Sequence, residues 1–296
     1  MPSDSPKKLR GFHPRRSVAI ASMKGGVGKT TIAAMFAKFV AERRGTPVTV
    51  VDMDPQRGAT ILLLGSEHVR HATGPGTYEI LASEQESIPS TELFCQAVQA
   101  SPYEPRIRVV PSDASLARLG PDTPRDLLRL ALEVAPRQED EIIVIDTGPE
   151  VTLCEISIAA AELVFVPITM SHQTGLPTLN TLQAILLEGR GIGGLIPTMI
   201  GSARWHEERV DSWRETLMNT VTLKRRGIDL LPSMPFSHAI PSGKWRWGKL
   251  PRRCLPALDA MHAKVFGERS LIETDVDTDE SEVEVEAGIE RGAVSS

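Results

Sequence analysis

The chain has 296 residues, 41% of them apolar and 24% charged, and a formal net charge of −5 from 33 Lys plus Arg against 38 Asp plus Glu. This usage excludes a collagen-like repeat and disorder of the whole chain. Three cysteines without a CxxC pair (Cys95, Cys154, Cys254) exclude a disulfide framework and make a reducing cytoplasm the expected compartment.

In chain order, residues 1–16 mix Lys7, Lys8, Arg10, Arg15 and Arg16 with Pro2, Pro6, Gly11 and Pro14. Such a composition cannot bury apolar surface and predicts a flexible basic arm. The following run, 17–22, is too short for the apolar region of a signal peptide, and no stretch of 18 apolar residues follows it. The longest candidate, 156–170, is broken by Glu162. Short β-branched runs predict strands at 18–22, 48–52, 107–111, 142–146, 163–167 and 192–200. Because these runs are apolar on both faces, they mark a parallel sheet covered by helices. Helices are predicted at 31–44, with Ile32, Met35, Phe36, Phe39 and Val40 on one stripe and Gly45 as the stop, and at 125–134, 176–187, 209–221 and 255–266. The alternation implies a doubly wound α/β domain over 17–272, its mostly parallel sheet carrying helices on both faces. From Glu273 onward nine acidic residues face one basic residue, which predicts a disordered acidic tail over 273–296. The tail carries −8 and leaves +3 on the rest, so the negative total does not argue against a nucleic-acid partner.

Directly after the first predicted strand, Lys24-Gly25-Gly26-Val27-Gly28-Lys29-Thr30-Thr31 opens into the first helix. Glycines let successive N–H groups curl around a phosphate, the helix N-terminus adds a positive dipole end, and Lys29 adds a full charge. Thr30 places its hydroxyl where Mg²⁺ would sit beside a nucleotide. The second strand runs into Asp52-Met53-Asp54-Pro55-Gln56. These two carboxylates stand two residues apart, and only one of them is expected to approach a γ-phosphate. The strand at 142–146 ends in Asp146, followed by Thr147-Gly148-Pro149.

Together these elements resemble the ParA/MinD family of P-loop ATPases with a deviant Walker A motif, and its partition branch in particular. A generic phosphate loop would have glycine at position 23, where this chain has Met23, while Lys24 matches the family's signature lysine. The likeness covers about residues 17–267. It continues through Thr77-Tyr78-Glu79-Ile80-Leu81, Val110-Pro111-Ser112, the strand at 163–167, and Met234-Pro235 with Pro241-Ser242-Gly243. The resemblance implies ATP and Mg²⁺ as cofactors, with residues 24–31 on the phosphates and Thr30, Asp52 and Asp146 on the metal side. It assigns the catalytic roles to Lys24, Lys29 and Asp54: the signature lysine reaches the nucleotide across a dimer interface, and Asp54 orients the attacking water. Gly148 stands where the family usually has proline, which leaves an extra N–H that could face phosphate.

The same resemblance implies an ATP-dependent homodimer, binding of DNA without sequence preference, and slow hydrolysis stimulated by a ParB-like partner, in the cytoplasm on the nucleoid. Too few cysteines are present for a cluster-binding relative, and the acidic end has the wrong sign for a membrane-anchoring helix. Two rivals share the machinery: a MinD-like or cargo-positioning ATPase without a DNA cargo, and a cobyrinate-type amidoligase. For DNA the candidates are Lys224, Arg225 and Arg226, and then Lys244, Arg246, Lys249, Arg252 and Arg253, interleaved with Trp245 and Trp247. The acidic tail is expected to compete with DNA for these groups. Trp205 and Trp213 are expected in the core. His68 and His71 have ligand-like spacing but no nearby cysteine, and read as a surface loop.

Overall fold

The computed structural model describes residues 17–67, 74–86, 90–201, 204–219, 227–235, 244–246 and 248–267. The predicted arm and tail, His68 and His71, the cluster Lys224, Arg225 and Arg226, and Trp247 lie outside these residues. The elements follow the chain as β1 (Ser17–Ile20), α1 (Lys29–Arg44), β2 (Val48–Met53), α2 (Gly58–Leu64), α3 (Thr77–Glu86), α4 (Ser90–Ala97), β3 (Gln99–Ala100), β4 (Ile107–Val110), α5 (Leu127–Val134) and β5 (Ile142–Thr147). They continue as α6 (Val151–Ala160), β6 (Leu163–Thr169), α7 (Gly175–Leu187), β7 (Gly191–Ile200), α8 (Arg204–Asn219), β8 (Met234–Pro235) and α9 (Leu255–Phe266). Short 3₁₀ turns lie at Ala114–Arg118, His172–Thr174, Lys244–Arg246 and Arg252–Cys254.

One sheet holds the strands in the order β3-β4-β2-β5-β1-β6-β7-β8. All neighbours pair in parallel except β3 with β4. Every residue of β1, β2 and β5 is buried, as their uninterrupted apolar runs require. Side chains alternate between two cores. Val18, Ile20, Ile142 and Val144 meet Phe36 and Phe39 of α1 and Leu258 and Met261 of α9 on one face. Ala19, Ile143, Ile145 and Val164 meet Leu128, Leu132, Ile156 and Leu182 on the other.

Helix α1 is buried from Ile32 to Ala41, well beyond the single stripe of the sequence expectation, so it is a central helix. Truncating Phe36 or Phe39 to Ala should cost roughly 3–5 kcal/mol, since each is fully enclosed. Its ends are fixed by Gly28 at the N-cap and Gly45 at the C-cap, both left-handed.

Four helices escape the periodicity argument. Three of them, α2, α3 and α4, are ten residues or fewer. The fourth, α6, buries seven of its ten residues and therefore shows no polar face. The apolar run at 156–170 is two elements, α6 and β6, separated at Glu162. The expectation for the tryptophans is half wrong. Trp213 packs against the core, but Trp205 is 51% exposed and stacks on His206 at 3.8 Å between ring centroids.

Candidate active site

In a parallel sheet the loops that leave the C-terminal strand ends share one edge, and ligands collect where the strand order reverses. Here β1 sits between β5 and β6, so the loops after β1, β2, β5 and β6 converge there. The loop after β1 curls through Gly26 (φ +70°) and Gly28 (φ +89°). These left-handed positions favour glycine, because a side chain there would strain the backbone. The curl delivers Lys29 as the first residue of α1, 6% exposed, with Nζ donating to the Lys24 carbonyl at 3.0 Å. Burial lowers the Lys29 pKa, and the nearby Asp146, Asp54 and Glu150 oppose that shift.

Asp52 and Asp146 are direct neighbours in the β2–β5 register, and both are fully buried. Asp52 is saturated: Oδ1 accepts from the Asp54 N–H (3.0 Å), and Oδ2 accepts from the N–H (2.8 Å) and hydroxyl (2.7 Å) of Thr60 in α2. Neither oxygen of Asp146 has a hydrogen bond of normal geometry among the described residues, although the Thr30 hydroxyl and Lys29 lie close enough to favour its charge. Burial raises both carboxyl groups above the usual range, and the Asp52 charge raises Asp146 further. A buried carboxylate without partners costs several kcal/mol of solvation unless a cation arrives. Asp146, beside the Thr30 hydroxyl, therefore fits a divalent ion. No group of three or more His, Cys, Asp or Glu side chains among the described residues forms a metal site by itself. A cation here would complete its shell with phosphate oxygens and water, as Mg²⁺ does. Asp52 serves as the anchor of the turn that carries Asp54.

Asp54 is half-buried, and its Oδ1 accepts from the Gln56 N–H at 2.8 Å. The start of α2 presses on Thr30: a Cβ on Gly58 would stand 2.8 Å from Thr30 Cγ2. The N–H of Gly148 goes to the Met53 carbonyl at 3.3 Å, so it ties the exits of β5 and β2 together and does not face the phosphate loop. Cys154 is buried beneath Lys29 with its thiol pushed up to about 12, which keeps it protonated and unreactive.

The signature position is held in a manner the sequence did not announce. Lys24 Nζ donates to Ser171 Oγ (2.6 Å), Thr174 Oγ1 (3.0 Å) and Thr169 Oγ1 (3.3 Å), a cradle at the exit of β6. The three hydroxyls also contact one another at 2.8–3.2 Å. A cavity of about 240 Å³ opens beside the cradle, between Ser171 and Leu179 on one side and Arg209, Trp213 and Thr216 of α8 on the other.

A family model described as an AAA domain (AAA_31) matches residues 15–187, more than half of the chain, and includes every phosphate-loop and carboxylate position described above. The chain belongs to the ParA/MinD family of P-loop ATPases. Among members of this family, the chromosome partitioning protein ParA of Myxococcus xanthus is 33% identical over 204 residues, covering 63% of this chain and 66% of that protein. The match to a putative replication protein A of Rhizobium rhizogenes covers 41% of that protein, so this chain spans about two fifths to two thirds of the length of such relatives. In fold, an aspartate-to-alanine variant of Cyanothece McdA in complex with ATP superposes with a TM-score of 0.69 at 18% identity, covering 89% of this chain and 100% of that one. Cobyrinic acid a,c-diamide synthase of Mycobacterium smegmatis, bound to ADP and magnesium, gives 0.63 at 20%, covering 88% and 99%.

Of the DNA candidates, Lys249, Arg252 and Arg253 are exposed around the start of α9. Arg246 is turned inward. Its Nη1 donates to the carbonyls of Leu62 (3.0 Å) and Ile61 (3.4 Å) at the end of α2, and its guanidinium lies 5.0 Å from the Tyr103 ring centre. It acts there as a helix C-cap. Trp245 beside it is buried. No helix among the described residues is long and apolar enough to cross a membrane.

Proposed function

We propose that this ParA/MinD family member is a Mg²⁺-dependent ATPase of the partition type, which dimerises on ATP and binds DNA in the dimeric state. The observation that carries the reading is the pairing of a glycine-curled loop holding Lys29 and Thr30 with the bare, buried Asp146. That donor set suits a metal-bound polyphosphate and little else. Mg²⁺, when bound, would neutralise charge on the phosphate oxygens. Lys29 and the loop N–H groups hold the phosphates, Asp146 and Thr30 hold the metal side, Asp52 anchors the switch turn, and Asp54 orients the attacking water after releasing Gln56. Lys24 leaves its hydroxyl cradle and reaches the phosphates of a second copy, which makes dimerisation conditional on the γ-phosphate. Intrinsic turnover is slow and a ParB-like partner stimulates it. The Myxococcus relative favours the partition reading over non-DNA cargo, and the fold likeness to a diamide synthase keeps an amide-forming ligase as the second reading.

Gel filtration with ATP, ADP and a slowly hydrolysed analogue, with and without duplex DNA, tests this. The analogue and DNA should shift the chain to a dimeric complex that ADP does not support, and Lys24→Ala should stay monomeric. A chain that remains monomeric with every nucleotide would refute the dimer switch. ATP consumption that requires a small-molecule acceptor would establish the ligase.

A further inference from the structure

The turn Asp52–Asp54 is clamped from three sides by hydroxyl groups that lie outside the motif. Ser112, 5% exposed just beyond β4, donates its hydroxyl to the Asp54 carbonyl at 2.6 Å. Its N–H donates to Thr60 Oγ1 at 3.1 Å, and that hydroxyl in turn donates to Asp52 Oδ2. From the third side Thr77, at the start of α3 and fully buried, lets its hydroxyl bridge the carbonyls of Asp52 (2.8 Å) and Pro111 (3.2 Å), while its N–H also goes to Pro111 (2.8 Å). The approach is close enough that a Cβ on Gly76 would stand 2.7 Å from the Pro111 carbonyl. Three short segments, at the exits of β2 and β4 and the start of α3, are thereby knotted beneath a side chain that is itself only half-buried.

We infer that Ser112, relayed through Thr60, is a positioning residue for Asp54, fixing the backbone from which the Asp54 carboxylate turns from Gln56 toward the attacking water. The inference rests on the proposed role of Asp54 and adds a cause for its precision. A catalytic carboxylate on a loop is placed well only if neighbouring hydrogen bonds lock that loop, and misplacement of the order of 1 Å costs about 10²-fold in rate. Ser112 touches the Asp54 carbonyl and not its carboxylate, so it governs where the group stands.

The experiment compares the full chain with Ser112→Ala, Thr60→Val and Thr60→Ser. Ser112→Ala and Thr60→Val should lower kcat for ATP hydrolysis about tenfold or more with KM within about twofold, the signature of a group acting only on the transition state. Thr60→Ser, which keeps the hydroxyl, should recover most of the loss. Hydrogen exchange supplies a reading free of catalysis: the amides of Asp54 and Gln56 should exchange at least about tenfold faster in Ser112→Ala, while those of β1 and β5 stay protected. A kcat within twofold of the parent, or exchange that accelerates throughout the sheet, overturns the inference. If the parent chain hydrolyses no ATP, the ATPase reading fails, and unchanged exchange at Asp54 and Gln56 would independently overturn the clamp.

Discussion

Asp52 and Asp146 sit side by side at the ends of neighbouring strands, equally buried, of the same chemistry, and surrounded in opposite ways. One accepts three hydrogen bonds from its own chain; the other accepts none of normal geometry among the described residues. Depth alone therefore says nothing about role. What separates an anchor from a ligand is whether the fold has already supplied donors, since an unpaired buried carboxylate is tolerated only where something from outside completes it.

Substitution should break the pair apart. The largest effect is expected at the bare member: Asp146→Asn should reduce Mg²⁺-supported hydrolysis by about 100-fold or more. At the same time it should raise the melting temperature of the nucleotide-free chain by a few degrees, because a neutral amide replaces a desolvated charge at a gain of about 1–2 kcal/mol. The sign can be checked against pH. Burial raises the Asp146 pKa, so its carboxyl protonates as pH falls, the parent recovers the lost stability, and the advantage of Asn should shrink. Calorimetry at two pH values measures both. Next comes the saturated member. Asp52→Asn has one acceptor too few for Thr60 and Asp54 and strands a buried N–H, so the melting temperature should fall, by about 1–3 kcal/mol of stability. A rise at Asp52 or a fall at Asp146 would reverse the assignment of anchor and ligand.

A gentler contrast lies between the two kinds of basic residue. Arg252→Glu with Arg253→Glu should eliminate ATP-dependent DNA binding without changing nucleotide affinity, whereas Arg246→Ala should act first on stability by uncapping α2, by about 1 kcal/mol. Filter binding across a salt series, read beside a melting curve, separates the two. The smallest expected effect is that of the acidic segment: replacing its nine carboxylates with amides should tighten DNA binding severalfold at low salt, and the difference should fade as salt rises.

The curl of the loop and the places of the three aspartates at strand exits were legible in the sequence because their signals are local: glycines where φ must be positive, a lysine at a helix start, carboxylates at the ends of apolar runs; that Asp52 is taken up by Thr60 and Asp54, and not left on the metal side, was not. The strands were legible for a related reason, since burial on both faces leaves an uninterrupted apolar run. Thr60, Ser112 and Thr77 were not. Hydroxyl residues are common, and what makes these three matter is that β2, β4 and α3 meet, which no spacing encodes. Val110-Pro111-Ser112 resembles the family in sequence, but the part Ser112 plays lies in its hydrogen bonds to Asp54 and Thr60. Arg246 fails in the opposite direction: charge and neighbouring tryptophans suggested a DNA contact, while its guanidinium serves the carbonyls of α2. Trp205 departs from the expected core position because hydrophobic bulk does not require depth: its ring rests on His206 and stays in water.

The hydroxyl cradle around Lys24 has a bearing on how the chain responds to its ionic surroundings. The ammonium is held by neutral oxygens from Thr169, Ser171 and Thr174. Among the described residues its hydrogen-bond partners are uncharged, so added electrolyte should leave the resting position of the lysine untouched and weaken the attraction to phosphate proposed for it. On the proposed dimer switch, ionic strength should thus act on the step in which Lys24 reaches phosphate and leave the lysine's resting cradle unchanged.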